Sequence, residues 1–281
     1  MRNIQKLDVT KLKAFENHPY KVKDDEEMEL LTDSIKEHGI LSPIIARPLE
    51  NGEYEIISGH RRLFASKRAG LTEVPALVVE MDRDNAAIAL VDSNLHRDNI
   101  SPSEKAFAYK LKMEAMKRQG HRTDLTLSQL ATKYDTAAEI GEQMKESRDQ
   151  VFRYIRLTNL HPKLLEYVDD GRIAFTPAVE LSYLNDIEQQ DLIQTIESED
   201  CTPSLSQAVR MKKLSQQALL DDDKIFEIMS EEKANQKERI KIPTERVRKY
   251  FPESYTKSQI EDAIVKLCEA HYKRRQKQQE R

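Results

Sequence analysis

Residues 55–70 read EIISGHRRLFASKRAG, a strand-like apolar run closed by Gly59 and followed at once by Arg61 and Arg62, where a helix should begin. A helix N-terminus carries about half a unit of positive charge and several unpaired amide donors, so cations are unwelcome in its first turn. Two adjacent guanidinium groups there are locally unfavourable unless an anion sits among them, and Gly59 lets such an anion approach the backbone closely. Phosphate fits this demand, because the planar fork of arginine grips its oxygens through paired hydrogen bonds. A second reading of the stretch stands beside the first: both arginines are solvated or paired with neighbouring acids.

Working outward, residues 24–39 (DDEEMELLTDSIKEHG) place Met28, Leu31 and Ile35 on one helical face, with early acids at the positive end and Gly39 as the stop. The runs PIIARP and EYEIIS, split by Asn51-Gly52, predict a hairpin that leads into the arginine pair. VPALVVEM adds another β-rich run, and AAIALVDSNLHRDNI returns to helical character. Within the latter, a helical spacing of three brings Asn94 and Arg97 together, an amide and a guanidinium suited to phosphate oxygens or a metal-bound water, with His96 between them. The alternative is that His96 and Arg97 merely decorate the helix end.

Beyond Ile100 the chain reads as almost entirely helical. SPSEKAFAYKLKMEAMKRQG opens with a serine cap, a proline near the first turn and a glutamate shortly after. Residues 125–160 predict helix, turn, helix, turn, helix. In their second half Ala138, Ile140, Met144, Val151, Ile155 and Leu157 fit two short helices crossing at a turn near Lys145–Ser147. Ser147 caps the second of these, and Arg148, Gln150, Arg153, Tyr154 and Arg156 supply donors for bases and phosphates, as a recognition helix requires. An ordinary helical hairpin with a polar outer face has the same pattern.

Composition bounds the rest. The 281 residues carry 33% charged and 6% aromatic side chains, no tryptophan and a formal net charge of −4, so attraction to nucleic acid must come from local patches. Two isolated cysteines, Cys201 and Cys268, form no metal-ligand pattern and suit a reducing compartment. No apolar run has the length of a membrane span and the N-terminus lacks the apolar core of a signal peptide, so a cytoplasmic protein is expected. The acidic stretch 219–238 predicts a linker or solvated helix. Residues 257–272 predict an amphipathic helix whose narrow apolar face (Ile260, Ala263, Ile264, Leu267, Cys268) a second copy would satisfy. Arg246, Arg248, Lys249, Lys273, Arg274, Arg275 and Lys277 could add sequence-independent DNA affinity.

GHRRLFASKRAG closely resembles the G-E-R-R-x-x-A-x-x-x-A-G box of ParB-type partition proteins, SNLHRDNISPSEKAFAY resembles their E-N-x-x-R box, and DSIKEHGILSPIIARP matches the preceding helix, glycine and strand in order. HPKLLEYVDDGRIAFTPAVEL resembles the helices that follow the family's DNA-reading motif, although the family's arginine is missing from PAVEL. The resemblance spans about residues 10–185 and implies an α+β chain. A ParB/sulfiredoxin-like mixed α/β nucleotide-binding domain (1–100) is followed by a helical helix-turn-helix domain (101–218) and a small, mostly helical C-terminal region for linking and dimerisation (219–281).

It further implies a CTP-responsive clamp on double-stranded, centromere-like DNA, a homodimer, and a ParA-type ATPase as partner. By position, Gly59, His60, Arg61, Arg62, Asn94 and Arg97 bind the nucleotide, with Asn94 beside a magnesium ion. No catalytic residue is assigned. Two departures stand out: His60 and Ser93 replace glutamates, and the family's N-P-x-x-P-R box is reduced to HPYKVK. Loss of both carboxylates predicts nucleotide binding that outlasts hydrolysis, at most a weak CTPase, unless Asp92 or Asp98 compensates. Two other functions are compatible with the sequence. One is a local transcription regulator with a degenerate pocket; the other is a phosphoryl-transfer enzyme on a related fold using His60 beside Arg61.

Overall fold

The computed structural model describes residues 4–94, 97, 100–123, 136–231, 247–252 and 254–279. Two compact units divide the chain, residues 1–231 and 232–281. The first unit begins with a five-stranded mixed sheet of order β1-β5-β3-β4-β2. Its strands are β1 (Ile4–Asp8), β2 (Leu12–Lys13), β3 (Ile44–Pro48), β4 (Tyr54–Ser58) and β5 (Glu73–Val78). The hairpin β3–β4 pairs antiparallel, with Pro48 opposite Tyr54, whereas β3 and β5 run parallel. Strand β1, which the sequence pattern does not announce, lies antiparallel on β5; only Leu7 of its five residues is buried.

Helix α1 (Glu26–His38) starts at Asp25, whose carboxylate accepts the Met28 amide, and buries Met28, Thr32 and Ile35. Helix α2 (His60–Arg68) follows β4 directly and buries Leu63, Ala65 and Ser66. Leu63 packs with Ile44, Ala46 and Ile56 of the sheet, while Met28, Ile35 and Ala65 join α1 to α2. Helix α3 (Arg83–Asp92) ends earlier than its sequence suggests and buries Ala86, Ala87, Leu90 and Val91. These meet Ala108 and Ala115 of α4 (Pro102–Thr123), which carries the chain into its helical half. The serine cap of α4 is realised: Glu104 accepts the Ser101 amide at 3.1 Å and donates its own amide to the Ser101 hydroxyl at 3.3 Å.

The helical half contains α5 (Thr136–Met144), α6 (Arg148–Leu157), α7 (Pro162–Asp169), α8 (Phe175–Leu181), α9 (Asp186–Glu199), α10 (Leu205–Gln216) and α11 (Asp222–Ser230). A single apolar cluster runs from Leu157 through Leu164, Leu181 and Leu192 to Met211 and Ile228. Helix α11 lies in the stretch expected to be linker or solvated helix, yet Ile225 is fully buried there. Burial of Ile225, Ile228 and Met229 extends the first unit to Glu231, past the expected edge at 218. The second unit contains α12 (Lys257–Gln279), capped reciprocally by Thr256 and Gln259, with Ile260 buried and Leu267 and Cys268 exposed. Among the described residues, no helix is long and apolar enough to cross a membrane.

Candidate nucleotide cleft and nucleic-acid interface

Gly59 caps α2 in the left-handed region (φ 106°, ψ 24°) with no side-chain hydrogen bond, a conformation that a side chain would strain. The amides of the first turn of α2 therefore open on a cleft of about 180 Å³ lined by Ser58, Gly59, His60, Arg61, Arg62, Asn94, Arg97 and the loop residues His18, Tyr20, Lys21 and Val22. All six residues assigned to the nucleotide by position line this cleft. Asn94 and Arg97 do so for a different reason than helical spacing. α3 stops at Asp92, and a turn in which the Arg97 amide donates to the Asn94 carbonyl (3.2 Å) carries both. His96 and Asp98 lie outside the described residues.

The two arginines have different situations. Arg62 donates to the carbonyls of Ser42 and Pro43, the latter at 2.8 Å, and its guanidinium lies against Gly59, where an added Cβ would sit 3.1 Å from Nη2. Burial lowers its pKa. Arg62 thus anchors the loop before β3 to α2. Arg61 reaches Asp25 Oδ1 at 3.4 Å and Glu27 Oε2 at 3.2 Å, the acid pairing that the sequence left open. Glu27 is 78% exposed, and ion pairs so placed are worth little, so an anion in the cleft can take Arg61 from them.

The loop HPYKVK, where the sequence shows only a reduced motif, supplies four lining residues that the motif reading did not assign. Its rings and cation were the available signal. The loop is tied down: the Lys21 amide donates to Glu104 Oε1 at 2.8 Å, and Lys21 Nζ reaches Asp169 Oδ2 at 3.4 Å. Asp169 in turn accepts the Ser103 amide at 2.9 Å and hydroxyl at 2.6 Å. One wall of the cleft is therefore fastened to the start of α4 and the end of α7.

The His18 and His60 rings are in contact, their centroids 3.8 Å apart and their planes tilted by 43°. Burial, and then the neighbouring His18, push the His60 imidazole down to about 3, and burial lowers His18 as well. Burial likewise pushes the Tyr20 phenol up, keeping it neutral. Magnesium takes oxygen ligands and ordinarily at least one carboxylate beside the phosphates. Described lining residues offer hydroxyl, amide, imidazole and cationic groups but no carboxylate. Asp92, one of the two aspartates considered as replacements for the missing glutamates, holds the Lys112 ammonium instead. This donor set does not fit magnesium.

On the helical half, the turn between α5 and α6 falls where the sequence places it, with Lys145 at φ 56° and the Ser147 hydroxyl accepting the Gln150 amide at 3.1 Å. Ala137, not Ala138, is the buried alanine of α5. Arg148 is exposed at the N-terminus of α6, its guanidinium 5.4 Å from the Phe152 ring centroid. Gln150 accepts from Arg153 at 3.2 Å, and Arg153 also donates to Thr176 Oγ1 at 3.1 Å.

Tyr154 and Arg156 are turned to packing. Tyr154, three residues after buried Val151, packs its ring against Tyr109 and Phe175 with centroids at 5.5 and 4.6 Å. Arg156 donates to Ser182 Oγ and carbonyl, each at 3.2 Å, and lies 3.7 Å over the Tyr183 ring. Of the six residues expected at DNA, Ser147, Arg148, Gln150 and Arg153 occupy the leading turns of α6, and the other two brace it.

The sequence profile of the ParB N-terminal domain matches residues 1–95, and that of the ParB HTH domain matches residues 98–211. The chain is 33% identical over 171 residues to the chromosome-partitioning protein Spo0J of Thermus thermophilus, covering 60% of this chain and 56% of the relative. It is 32% identical over 180 residues to a nucleoid occlusion protein of Geobacillus thermodenitrificans, covering 63% and 58%. A crystal structure of C-terminally truncated ParB from Caulobacter crescentus, complexed to the centromeric parS site, aligns over 76% of this chain and 99% of that chain at 25% identity and a TM-score of 0.42. The chain thus spans less than three fifths of the length of those two relatives. With adjoining matches to both domains, in order and across the cleft and the helix-turn-helix, the chain belongs to the ParB family.

Proposed function

We propose that the protein is a partition-type DNA-binding protein whose hold on double-stranded, centromere-like DNA is switched by CTP in the cleft, with hydrolysis weak or absent. The observation that carries this reading is the cleft. First-turn amides and the cations Lys21, Arg61, Arg62 and Arg97 converge there, and the loop bearing Lys21 is bonded to Glu104 and Asp169 of the helical half. A ligand that draws this loop inward acts on α4 and α7 with it. Switching then requires only that the nucleotide bind the closed arrangement more tightly than the open one. The choice of cytidine rests on family membership.

In this reading residues 1–100 hold the nucleotide and 101–218 read DNA. The region from 219 links and dimerises, with α11 packed onto the helical half and α12 meeting a second copy. A ParA-type ATPase is the proposed partner. Nucleoid occlusion is the second reading, favoured by the identity with the Geobacillus protein of that name; mapping the bound DNA sites in cells separates the two.

The direct test is retention of radiolabelled CTP with and without candidate centromere DNA, for the intact chain and for Arg61→Ala. DNA should raise retention severalfold, and loss of the charge-assisted contacts should lower affinity by about tenfold or more. Retention indifferent to Arg61→Ala sinks the cleft assignment, whereas DNA binding indifferent to CTP returns the chain to a plain transcription regulator. For the reading helix, Gln150→Ala should reduce the preference for cognate over random DNA by about tenfold, as expected for one lost base contact. Arg156→Ala should instead lower the melting temperature, since its guanidinium is bonded to Ser182. Equal loss on cognate and random DNA for Gln150→Ala contradicts base reading at that position.

A further inference from the structure

The cleft poses a question of counter-charge, and the answer rests on the nucleotide reading above. A triphosphate brings several negative charges that a magnesium ion ordinarily offsets in part. Here no described lining residue is a carboxylate, and an imidazole stands at position 60. Its ring is tilted 43° against that of His18 at 3.8 Å. Hydrogen bonds fix the tautomers. His18 Nδ1 donates to the Tyr20 carbonyl at 2.7 Å, so His18 Nε2 is the nitrogen without a proton. His60 Nε2 accepts the Phe15 amide at 3.5 Å, so His60 carries its hydrogen on Nδ1.

In the free protein both rings are held neutral by burial, in the company of four cations: Lys21 from the loop, Arg61 and Arg62 from α2, and Arg97 after α3. Glu104 of α4 acts on His18 in the opposite sense to Arg97, and Tyr20 is neutral. A polyphosphate in the cleft reverses the sign of this surrounding. It neutralises the cations and presents acceptor oxygens to any N–H the rings can offer, so the charged form of an imidazole gains both a counter-ion and a hydrogen bond.

We propose that the cleft takes its nucleoside triphosphate together with one proton, drawn from solvent onto Nε2 of His18 in the His18–His60 pair, and needs no magnesium ion to do so. A site that gains a proton on binding tightens as pH falls, by about tenfold per pH unit for one proton. The pair thus does the work of the divalent ion, and the exchange of glutamate for His60 is an adaptation of the site.

The experiment is calorimetric titration of CTP into the full chain at about pH 7.5, where an unperturbed histidine is mostly neutral. It is run in PIPES, HEPES and Tris, each with EDTA or with magnesium chloride. The expected result is a dissociation constant that changes less than about threefold between EDTA and magnesium, with heats that track buffer ionisation at a slope near one proton. His18→Gln should abolish that slope, and His60→Glu should make binding magnesium-dependent by about tenfold or more. CTP bound only with magnesium, or with identical heats in every buffer, overturns this inference and leaves the nucleotide reading intact. CTP bound under neither condition brings down both.

Discussion

Asp92→Ala should destabilise the first unit by about 3–5 kcal/mol, whereas Lys112→Met should cost less than about 1.5 kcal/mol, although the two side chains are partners in one ion pair. The asymmetry follows from where each end sits. The Lys112 side chain is 1% exposed, lodged in α4 between the apolar cluster of Leu90, Val91 and Ala108 and that of Tyr109, Ile140 and Val151. Asp92 is 41% exposed at the end of α3. Removing the carboxylate strands a buried ammonium with the Gln143 amide oxygen alone, whereas removing the ammonium frees a carboxylate that water already reaches.

Urea denaturation of both single variants and of the pair checks this, with the double variant expected to recover most of the Asp92→Ala loss. Equal destabilisation by the two single changes would contradict the account. The same triad bears on the site. Asp92 lies two residues before Asn94 of the cleft, and Gln143 belongs to α5 of the helix-turn-helix, so one ammonium ties the end of α3, next to the cleft, to α5.

Much of this was legible in the sequence where local chemistry decides. α1 follows from the spacing of Met28, Leu31 and Ile35 and from its acidic start; the β3–β4 hairpin follows from Asn51-Gly52; the start of α6 follows from Ser147. The cleft's α2 half was marked by Gly59 and the arginine pair at a helix start, and of the two readings the sequence left open for Arg61 the contacts shown are the acid pairing. What stayed hidden depends on partners remote in sequence. Lys112 reads as one more solvated lysine on a mixed helix, since its partners stand 20 and 31 residues away. β1 has one buried side chain and is held by backbone pairing to β5, so no alternation marks it. The His18–His60 contact joins a loop to a helix start 42 residues on in the sequence, and Arg156 looks like a phosphate contact until Ser182 and Tyr183 appear beside it.

Gly141→Ala should abolish cognate DNA binding and lower the melting temperature by about 4–8 °C, while leaving CTP binding in the cleft within about twofold. A Cβ at 141 would stand 2.6 Å from the Glu146 carbonyl oxygen, 3.4 Å from Ser147 C and 3.5 Å from Arg148 N. All three are backbone atoms of the turn into α6, so no side chain can swing away. That turn is tight: the Glu146 amide donates to the Gly141 carbonyl at 2.8 Å, and Lys145 takes φ 56° to make it. Alanine favours a helix by about 0.8–1.0 kcal/mol over glycine, but overpacking typically costs about 1–3 kcal/mol, and the contact here is one that real Cβ atoms do not make. Relief requires α5 and α6 to separate, which carries Ser147, Arg148 and Gln150 away from their common position and costs a base-reading helix its register. Fluorescence anisotropy on cognate and random duplexes, with CTP binding as the internal control, decides the matter. Full cognate affinity in Gly141→Ala would mean that the close packing of this turn does not set the geometry of the reading helix.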